Sequence, residues 1–146
     1  MEVEYDIRSP ITSAEWDSYY QLRWRILRMP WGQPLGSEKD ADEDSAIHRF
    51  ALFKDEVVGV GRVHFVREMV AQVRYMATVE QCRKKGIGTA ILKALEEQAQ
   101  SAGAAEIVLN AREQYLDFYL GLGYTIVGDG PTLFSSIKHK RLIKKL

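Results

Sequence analysis

Arg83-Lys84-Lys85-Gly86-Ile87-Gly88-Thr89 is the stretch that decides how this chain is read. It follows an alternating, β-prone run over residues 71–79 and opens a helical run that stops at Gly103. The first amides of a helix have no internal partner, and the helix dipole places partial positive charge there. Gly86 and Gly88 have no Cβ, so a ligand can approach the backbone closely. Strand, glycine-rich turn and helix in that order therefore form a receptor for a phosphate-bearing group. Arg83, Lys84 and Lys85 add full positive charges, and Thr89 adds a hydroxyl donor. The competing explanation is that the glycines only let the helix pack closely on a sheet.

Working outward, the helix is predicted over residues 86–102. Its apolar residues Ile87, Ala90, Ile91, Ala94, Leu95, Ala99 and Ala102 share one face at helical spacing. Gly103 suits the position after its last turn. Upstream, residues 48–53 and 57–66 read as two strands joined by a Lys54-Asp55-Glu56 hairpin turn. Downstream come a short buried strand over 106–109 and a helix over 113–122 closed by Gly123. Closing strands over 124–127 and 133–142 are parted by Gly128-Asp129-Gly130-Pro131. At the N-terminal side, residues 4–8 form a strand candidate, and Thr12-Ser13-Ala14-Glu15 has capping-box spacing. The helix that follows carries Trp16, Tyr19, Tyr20, Leu22, Trp24, Ile26 and Leu27 and is ended by Pro30. Residues 29–46 are the least regular segment, with a short helix expected over 40–46. A loop this long in a small domain is usually functional or disordered, and Trp31 argues for one that packs on something.

The hairpins demand antiparallel pairs, and the strand–helix–strand unit over 71–109 demands a parallel pair. The expected fold class is therefore α/β, a mixed and mostly antiparallel sheet flanked by helices, in one domain over residues 1–146. The formal net charge is zero, which argues against a nucleic-acid binder. One cysteine, Cys82, rules out an internal disulfide and suits a reducing compartment. The acidic N-terminus does not read as a signal peptide, and no apolar run approaches the ~20 residues that cross a bilayer. A soluble, cytoplasmic protein is expected.

Three stretches together resemble the GNAT family of acyl-CoA-dependent N-acetyltransferases. Arg83-Lys84-Lys85-Gly86-Ile87-Gly88 is similar to that family's Arg/Gln-x-x-Gly-x-Gly/Ala signature. Met76-Ala77-Thr78 has the spacing at which the family's fourth strand meets the pantetheine arm. Phe118-Tyr119-Leu120-Gly121-Leu122-Gly123-Tyr124 is similar to its Phe-Tyr-x-x-x-Gly-Phe/Tyr segment. The resemblance runs from about Val57 to the C-terminus. It departs at Arg112 and Tyr115, where the family often has Asn and a small residue; Asn110 is a candidate to supply the amide. Ile137-Lys138-His139 resembles an Ile-x-His element in the last strand of a less characterised subgroup.

The resemblance implies acetyl-CoA as cofactor, with its pyrophosphate on the amides between Lys84 and Thr89 and its pantetheine paired to main-chain groups of Met76 and Thr78, as an added strand is. It implies Tyr119 as the general acid, a phenol able to protonate a leaving thiolate whose thiol has a pKa near ~8.5. Amides near Met76 and Thr78 are candidates to polarise the carbonyl. The amine must lose a proton first, and Glu80, His64, His139 or water are the candidate bases. Arg62 and Arg74, on neighbouring strands, are candidates to line the acceptor cleft and suit a carboxylate or phosphate; a salt-bridged role is the alternative. Trp31 would form one wall of that cleft. The implied reaction is direct transfer to the amine of a small molecule in a ternary complex, with a homodimer common in such folds. A protein or peptide amine, or a non-catalytic acyl-CoA sensor, stays open.

Other features carry less. Asp40, Asp42 and Asp44 alternate like the start of a calcium loop, but Ser45 and Ala51 stand where that loop needs Gly and Glu, so a solvated acidic face is expected. Cys82 lacks a Cys-His-Asn setting. The basic residues 138–145 alternate with apolar ones as an exposed strand face does. A phosphate loop ending in Gly-Lys-Ser/Thr is missing, which weighs against a nucleotide-binding module.

Overall fold

In the computed structural model, which describes residues 4–146, the Thr12 hydroxyl accepts from the Glu15 amide at 3.1 Å, and the Glu15 carboxylate accepts from the Thr12 amide at 3.2 Å. This reciprocal cap starts α1 (Ser13–Leu27) where the spacing predicts it. Ahead of it lies β1 (Asp6–Arg8), and a 3-10 turn (Met29–Trp31) follows it. Then come β2 (Ile47–Phe53), β3 (Glu56–Arg67) and β4 (Val70–Thr78). Lys54 and Asp55 both take positive φ, 50° and 65°, as a two-residue hairpin turn requires. The chain continues with α2 (Ile87–Ser101), β5 (Glu106–Arg112), α3 (Leu116–Leu120), β6 (Thr125–Leu133) and β7 (Ile137–Lys145).

One seven-stranded sheet results, in the order β1-β2-β3-β4-β5-β7-β6. Only β4 and β5 run parallel; the other pairs are antiparallel. Side chains of successive strand residues point to opposite faces. Gly61 therefore faces Ile91 of α2, while Arg62 faces Asp40 on the side of α1. On the α2 face, Ile87, Ile91, Leu92, Leu95 and Ala99 are buried against the sheet. Close packing there depends on β3: a Cβ at Gly59 would stand 2.8 Å from both Ile87 Cγ2 and Ile91 Cδ1.

The feature that positions the site is where pairing stops. β4 and β5 pair only from Val70–Glu106 to Val73–Leu109. Beyond that, β4 stays paired to β3 as far as Thr78 and β5 stays paired to β7 as far as Arg112. Their facing edges diverge, and a wedge opens between them. A bulge bends β4 at the same place: Arg74 pairs with Arg62 and Ala77 with Val60, so Tyr75 and Met76 stand opposite Gly61 alone, with Tyr75 at φ 58°.

Three sequence expectations need correction. Residues 40–46 form turns and a bend, not a helix, because the Asp40 and Glu43 carboxylates are drawn to arginines elsewhere. The predicted helix over 113–122 splits into a 3-10 turn (Glu113–Tyr115) and the short α3. Gly128-Asp129-Gly130-Pro131 is not the closing turn. It lies inside β6, where bulges interrupt the ladder, and the turn falls at Phe134 and Ser135 with φ 50° and 61°. β6 is an edge strand, which is where a sheet tolerates proline.

Gly59→Ala is expected to lower stability by about 1–3 kcal/mol, as overpacking does. That corresponds to a fall in Tm of roughly 3–10 °C in a thermal melt. Gly128→Ala, whose Cβ meets no atom within 4 Å, should melt like the parent protein. Equal effects at the two sites would contradict the close helix–sheet contact.

Candidate active site

The glycine-rich turn is shaped by two left-handed residues, Lys84 at φ 63° and Gly86 at φ 84°. The first main-chain hydrogen bond of α2 runs from the Ala90 amide to the Gly86 carbonyl at 3.0 Å. Among the described residues, no carbonyl or side chain accepts from the amides of Lys84 through Thr89. Successive free amides at a helix start form an anion-binding concavity. Lys84 and Lys85 are exposed beside it. Ile87 contributes only its main chain, since its side chain is 1% exposed and belongs to the core. Arg83 folds back, and its Nε donates to the Thr78 carbonyl at 3.2 Å, tying the turn to the end of β4.

Gly88 is where the three singled-out stretches meet. A Cβ there would lie 3.3 Å from Phe118 Cζ and 4.0 Å from Thr78 Oγ1. The end of β4, the start of α2 and the Phe118-Tyr119 helix thus converge on one point. Both explanations of the glycines apply: Gly86 permits the left-handed turn, and Gly88 permits the close approach of α3. Met76, Ala77 and Thr78 lie on β4 past its last pair with β5, so their edge faces the wedge. Met76 turns its side chain toward Gly61, and Ala77 is buried.

Tyr119 is 8% exposed and stands edge-on to Phe118 and Tyr124, with ring centroids 4.9 Å and 5.8 Å away. Its hydroxyl makes no hydrogen bond to the described residues. Burial pushes its pKa above the ordinary phenol value, Tyr115 pushes the same way, and Arg112 pulls it down. The phenol therefore keeps its proton at physiological pH and is a donor.

On the α1 face the arginines predicted to line a cleft are occupied. Arg62 is 0% exposed; it donates to Asp40 Oδ1 at 2.6 Å, to Asp40 Oδ2 at 3.0 Å and to Glu43 Oε2 at 2.8 Å. Arg74 donates to Asp40 Oδ2 at 2.8 Å, and Arg23 to both Glu43 oxygens at 2.9 Å. Burial alone would raise the Asp40 pKa, but hydrogen bonds from Arg62 and the Asp42 amide, with the charges of Arg62 and Arg74, hold it well below the usual carboxylate range. The acidic run is thus not simply a solvated face: Asp40 and Glu43 are the counter-ions of the sheet arginines. Removing one partner of such a buried network usually costs about 3–5 kcal/mol.

The three histidines differ in what they offer. His48 is buried, its Nε2 2.8 Å from the Glu43 carbonyl and its Nδ1 2.8 Å from the Tyr19 hydroxyl. His64 accepts from Arg62 at Nδ1, 3.1 Å away, and its Nε2 faces Asp42 at 3.6 Å. His139 Nδ1 lies 3.0 Å from both the Pro131 and the Ile137 carbonyls. Since carbonyls only accept, Nδ1 carries the proton and Nε2 holds the free lone pair. Burial is the main cause lowering the pKa of all three. Glu80 sits exposed on a 3-10 turn (Glu80–Cys82).

Trp31 stacks on Phe134 of the β6–β7 turn, with centroids 6.1 Å apart at 22°. The Arg112 guanidinium lies over the Trp31 ring, 4.6 Å from its centroid. Arg112 was readable in the sequence only as a departure from a motif, because its neighbours come from distant segments. Asn110 stands on β5 opposite Arg141; its Oδ1 is buried without a partner, 3.1 Å from where a Cβ of Gly130 would be. Among the described residues, no side-chain hydrogen bond links Asn110 to the glycine-rich turn. Among the described residues no cluster of His, Cys, Asp and Glu is arranged to hold a metal ion. No helix of these residues is long and apolar enough to cross a membrane.

The model of the acetyltransferase (GNAT) family matches residues 16–124, and the chain belongs to that family. It is 27% identical over 128 residues to the uncharacterized N-acetyltransferase YjcF of Bacillus subtilis (strain 168), covering 88% of this chain and 90% of that one. Among solved structures it is similar to Escherichia coli ElaA, with a TM-score of 0.82 at 16% identity over 98% of this chain and 99% of that one. It is also similar to an aminoglycoside 6'-N-acetyltransferase complexed with coenzyme A, with a TM-score of 0.80 at 19% identity over 97% and 96% of the two chains.

The pH dependence of stability follows from the buried histidines. A folded pKa below the unfolded value of about 6.5 gives stability that is complete above that pH and is lost as pH falls through it. Tm should be flat from pH 7 to 9 and fall between pH 7 and 5. His48→Gln should lower Tm at pH 7 and make that fall shallower. An unchanged slope would contradict the assignment of His48 as a neutral buried imidazole.

Proposed function

We propose that this GNAT-family acyltransferase moves the acetyl group of acetyl-CoA directly to the primary amine of a small molecule, with both held together in the wedge between β4 and β5. The observation that carries this reading is the convergence at Gly88 of free helix amides, an unpaired strand edge and the Phe118-Tyr119 helix. The parts fit the cofactor. Free amides at Lys84–Thr89, with Lys84 and Lys85 beside them, suit a diphosphate. The edge of β4 at Met76–Thr78 suits an extended arm with its own amides. Acetyl-CoA supplies an activated acyl group and leaves as the thiol.

The chain's own residues handle the protons. The nitrogen–carbon bond forms as the carbon–sulfur bond breaks. The proton lost by the amine goes to a base, and the sulfur takes one from Tyr119. His139 is the base this geometry favours. Its Nε2 lone pair is free, whereas that of His64 is taken by Arg62 and Glu80 is exposed. His139 pairs with Arg112 across β5 and β7, on the face that carries Trp31. Arg62 and Arg74 have a positioning role, holding Asp40 and with it the loop that carries Trp31.

The test is an acceptor screen with acetyl-CoA that follows thiol release. Tyr119→Phe should lower kcat by about 10²–10³-fold and His139→Gln by about 10²-fold at pH 7, the scale of general acid–base catalysis. The His139→Gln deficit should shrink at pH 9–10, where more of the amine is already neutral. Both variants should bind acetyl-CoA as the parent protein does. Full-rate transfer by Tyr119→Phe would remove that residue as the acid. Tight acetyl-CoA binding with no turnover on any amine would favour a sensor.

A further inference from the structure

Two sets of arginines lie near the candidate site. Arg23, Arg62 and Arg74 share the carboxylates of Asp40 and Glu43. Among the described residues, Arg28, Arg83 and Arg112 have no carboxylate within salt-bridge distance; the same holds of Arg25, Arg67 and Arg141, which are exposed, and of Arg49, which donates to the Ser9 hydroxyl and the His48 carbonyl. Arg83 is accounted for by its bond to Thr78 at the glycine-rich turn. Arg28 and Arg112 are not. Arg28 is 9% exposed and donates only to main-chain carbonyls, those of Leu27 and Ser37, each at 3.1 Å. Its guanidinium lies 5.4 Å from the Phe134 ring centroid and 5.5 Å from that of Tyr75. Arg112 is half-buried and makes no hydrogen bond to the described residues; its guanidinium covers Trp31, which stacks on Phe134. The Trp31–Phe134 stack thus has one uncompensated guanidinium on each ring.

From this geometry we infer that the acceptor is an amine that also carries a carboxylate, which Arg112 grips with Arg28 beside the Trp31–Phe134 stack. The inference rests on the acetyl-transfer reading and names its substrate class. A planar guanidinium with free donors matches a carboxylate bidentately. One buried and one half-buried cation without counter-ions also repel a polycationic acceptor, so the cleft selects against polyamines and aminoglycosides as well as for acids. Arg28 and Arg83 put positive charge near Arg112: burial chiefly lowers its pKa, Tyr115 raises it, and the charges of Arg28 and Arg83 lower it. The same field helps the chemistry, because a nearby cation makes an ammonium group give up its proton more readily. Arg112 also draws the Tyr119 pKa down, toward a phenol that donates more readily.

The test compares matched amines with the full-length protein and saturating acetyl-CoA: phenylalanine, phenylalaninamide and spermidine. The parent protein should favour the acid over its amide by roughly 10–100-fold in kcat/KM, the worth of one charge-assisted hydrogen-bonded pair. Arg112→Gln should bring the ratio to near one, Arg112→Lys should restore part of it, and the Kd for acetyl-CoA should stay the same in both. A preference for the amide or for spermidine, or an acid-to-amide ratio unchanged in Arg112→Gln, overturns the inference. A second arm needs no turnover: calorimetry in the presence of CoA with N-acetylphenylalanine and its amide. Tighter binding of the acid, lost in Arg112→Gln, supports the inference even if no amine is acetylated; equal binding overturns it. Failure of transfer alone therefore counts against the catalytic reading and not against the anion site.

Discussion

The wedge between β4 and β5 is the constraint on which the rest depends. Four residues on each strand make a parallel ladder, from Val70–Glu106 to Val73–Leu109, and then it ends. Neither strand frays there. β4 is held by β3 to Thr78 and β5 by β7 to Arg112, so the unpaired edges are kept rigid and apart. Main-chain groups without a partner carry a free-energy cost when buried, and water or a ligand must satisfy them. The crossover through α2 brings the free amides of the glycine-rich turn to the open end of that wedge. Gly88 lets Phe118, and with it Tyr119, close on the same place. A short failure of strand pairing thus aligns three segments that are far apart in sequence.

Electrostatics divides the two sides of this site. Near α1, Asp40 and Glu43 neutralise three arginines and fix the loop over residues 29–46 to the sheet. That loop then delivers Trp31 to Phe134 and Arg112. Beside the aromatic stack, Arg28 and Arg112 have no carboxylate partner among the described residues. Arg23, Arg62 and Arg74 hold the loop to the sheet, whereas Arg28 and Arg112 are the pair proposed to bind.

Local features were legible in the sequence, and contacts across distant segments were not. The Thr12–Glu15 cap, the Lys54-Asp55 hairpin and the Gly86 turn each depend on a few adjacent residues, and each stands where their chemistry predicts. The last hairpin misled because Gly128 to Pro131 has turn composition, yet an edge strand absorbs glycines and proline at bulges. Its true turn uses positive φ at Phe134 and Ser135, which residue type does not announce. Arg62 and Arg74 were rightly placed on neighbouring strands, but their partners come from the irregular loop. Arg112 and His139 meet only through pairing of β5 with β7. The sequence motifs mark the proposed cofactor half of the candidate site; the proposed acceptor half depends on tertiary contacts.

The proposed reaction requires the amides of Lys84 to Thr89 and the edge of β4 to receive coenzyme A together. The most direct test is a pair of calorimetric titrations, one with CoA and one with pantetheine, which lacks the phosphates. One CoA site per chain is expected, with pantetheine bound at least about 100-fold more weakly, since two or more charge-assisted hydrogen bonds are lost. Equal affinity for the two ligands, or no binding of CoA, would contradict it.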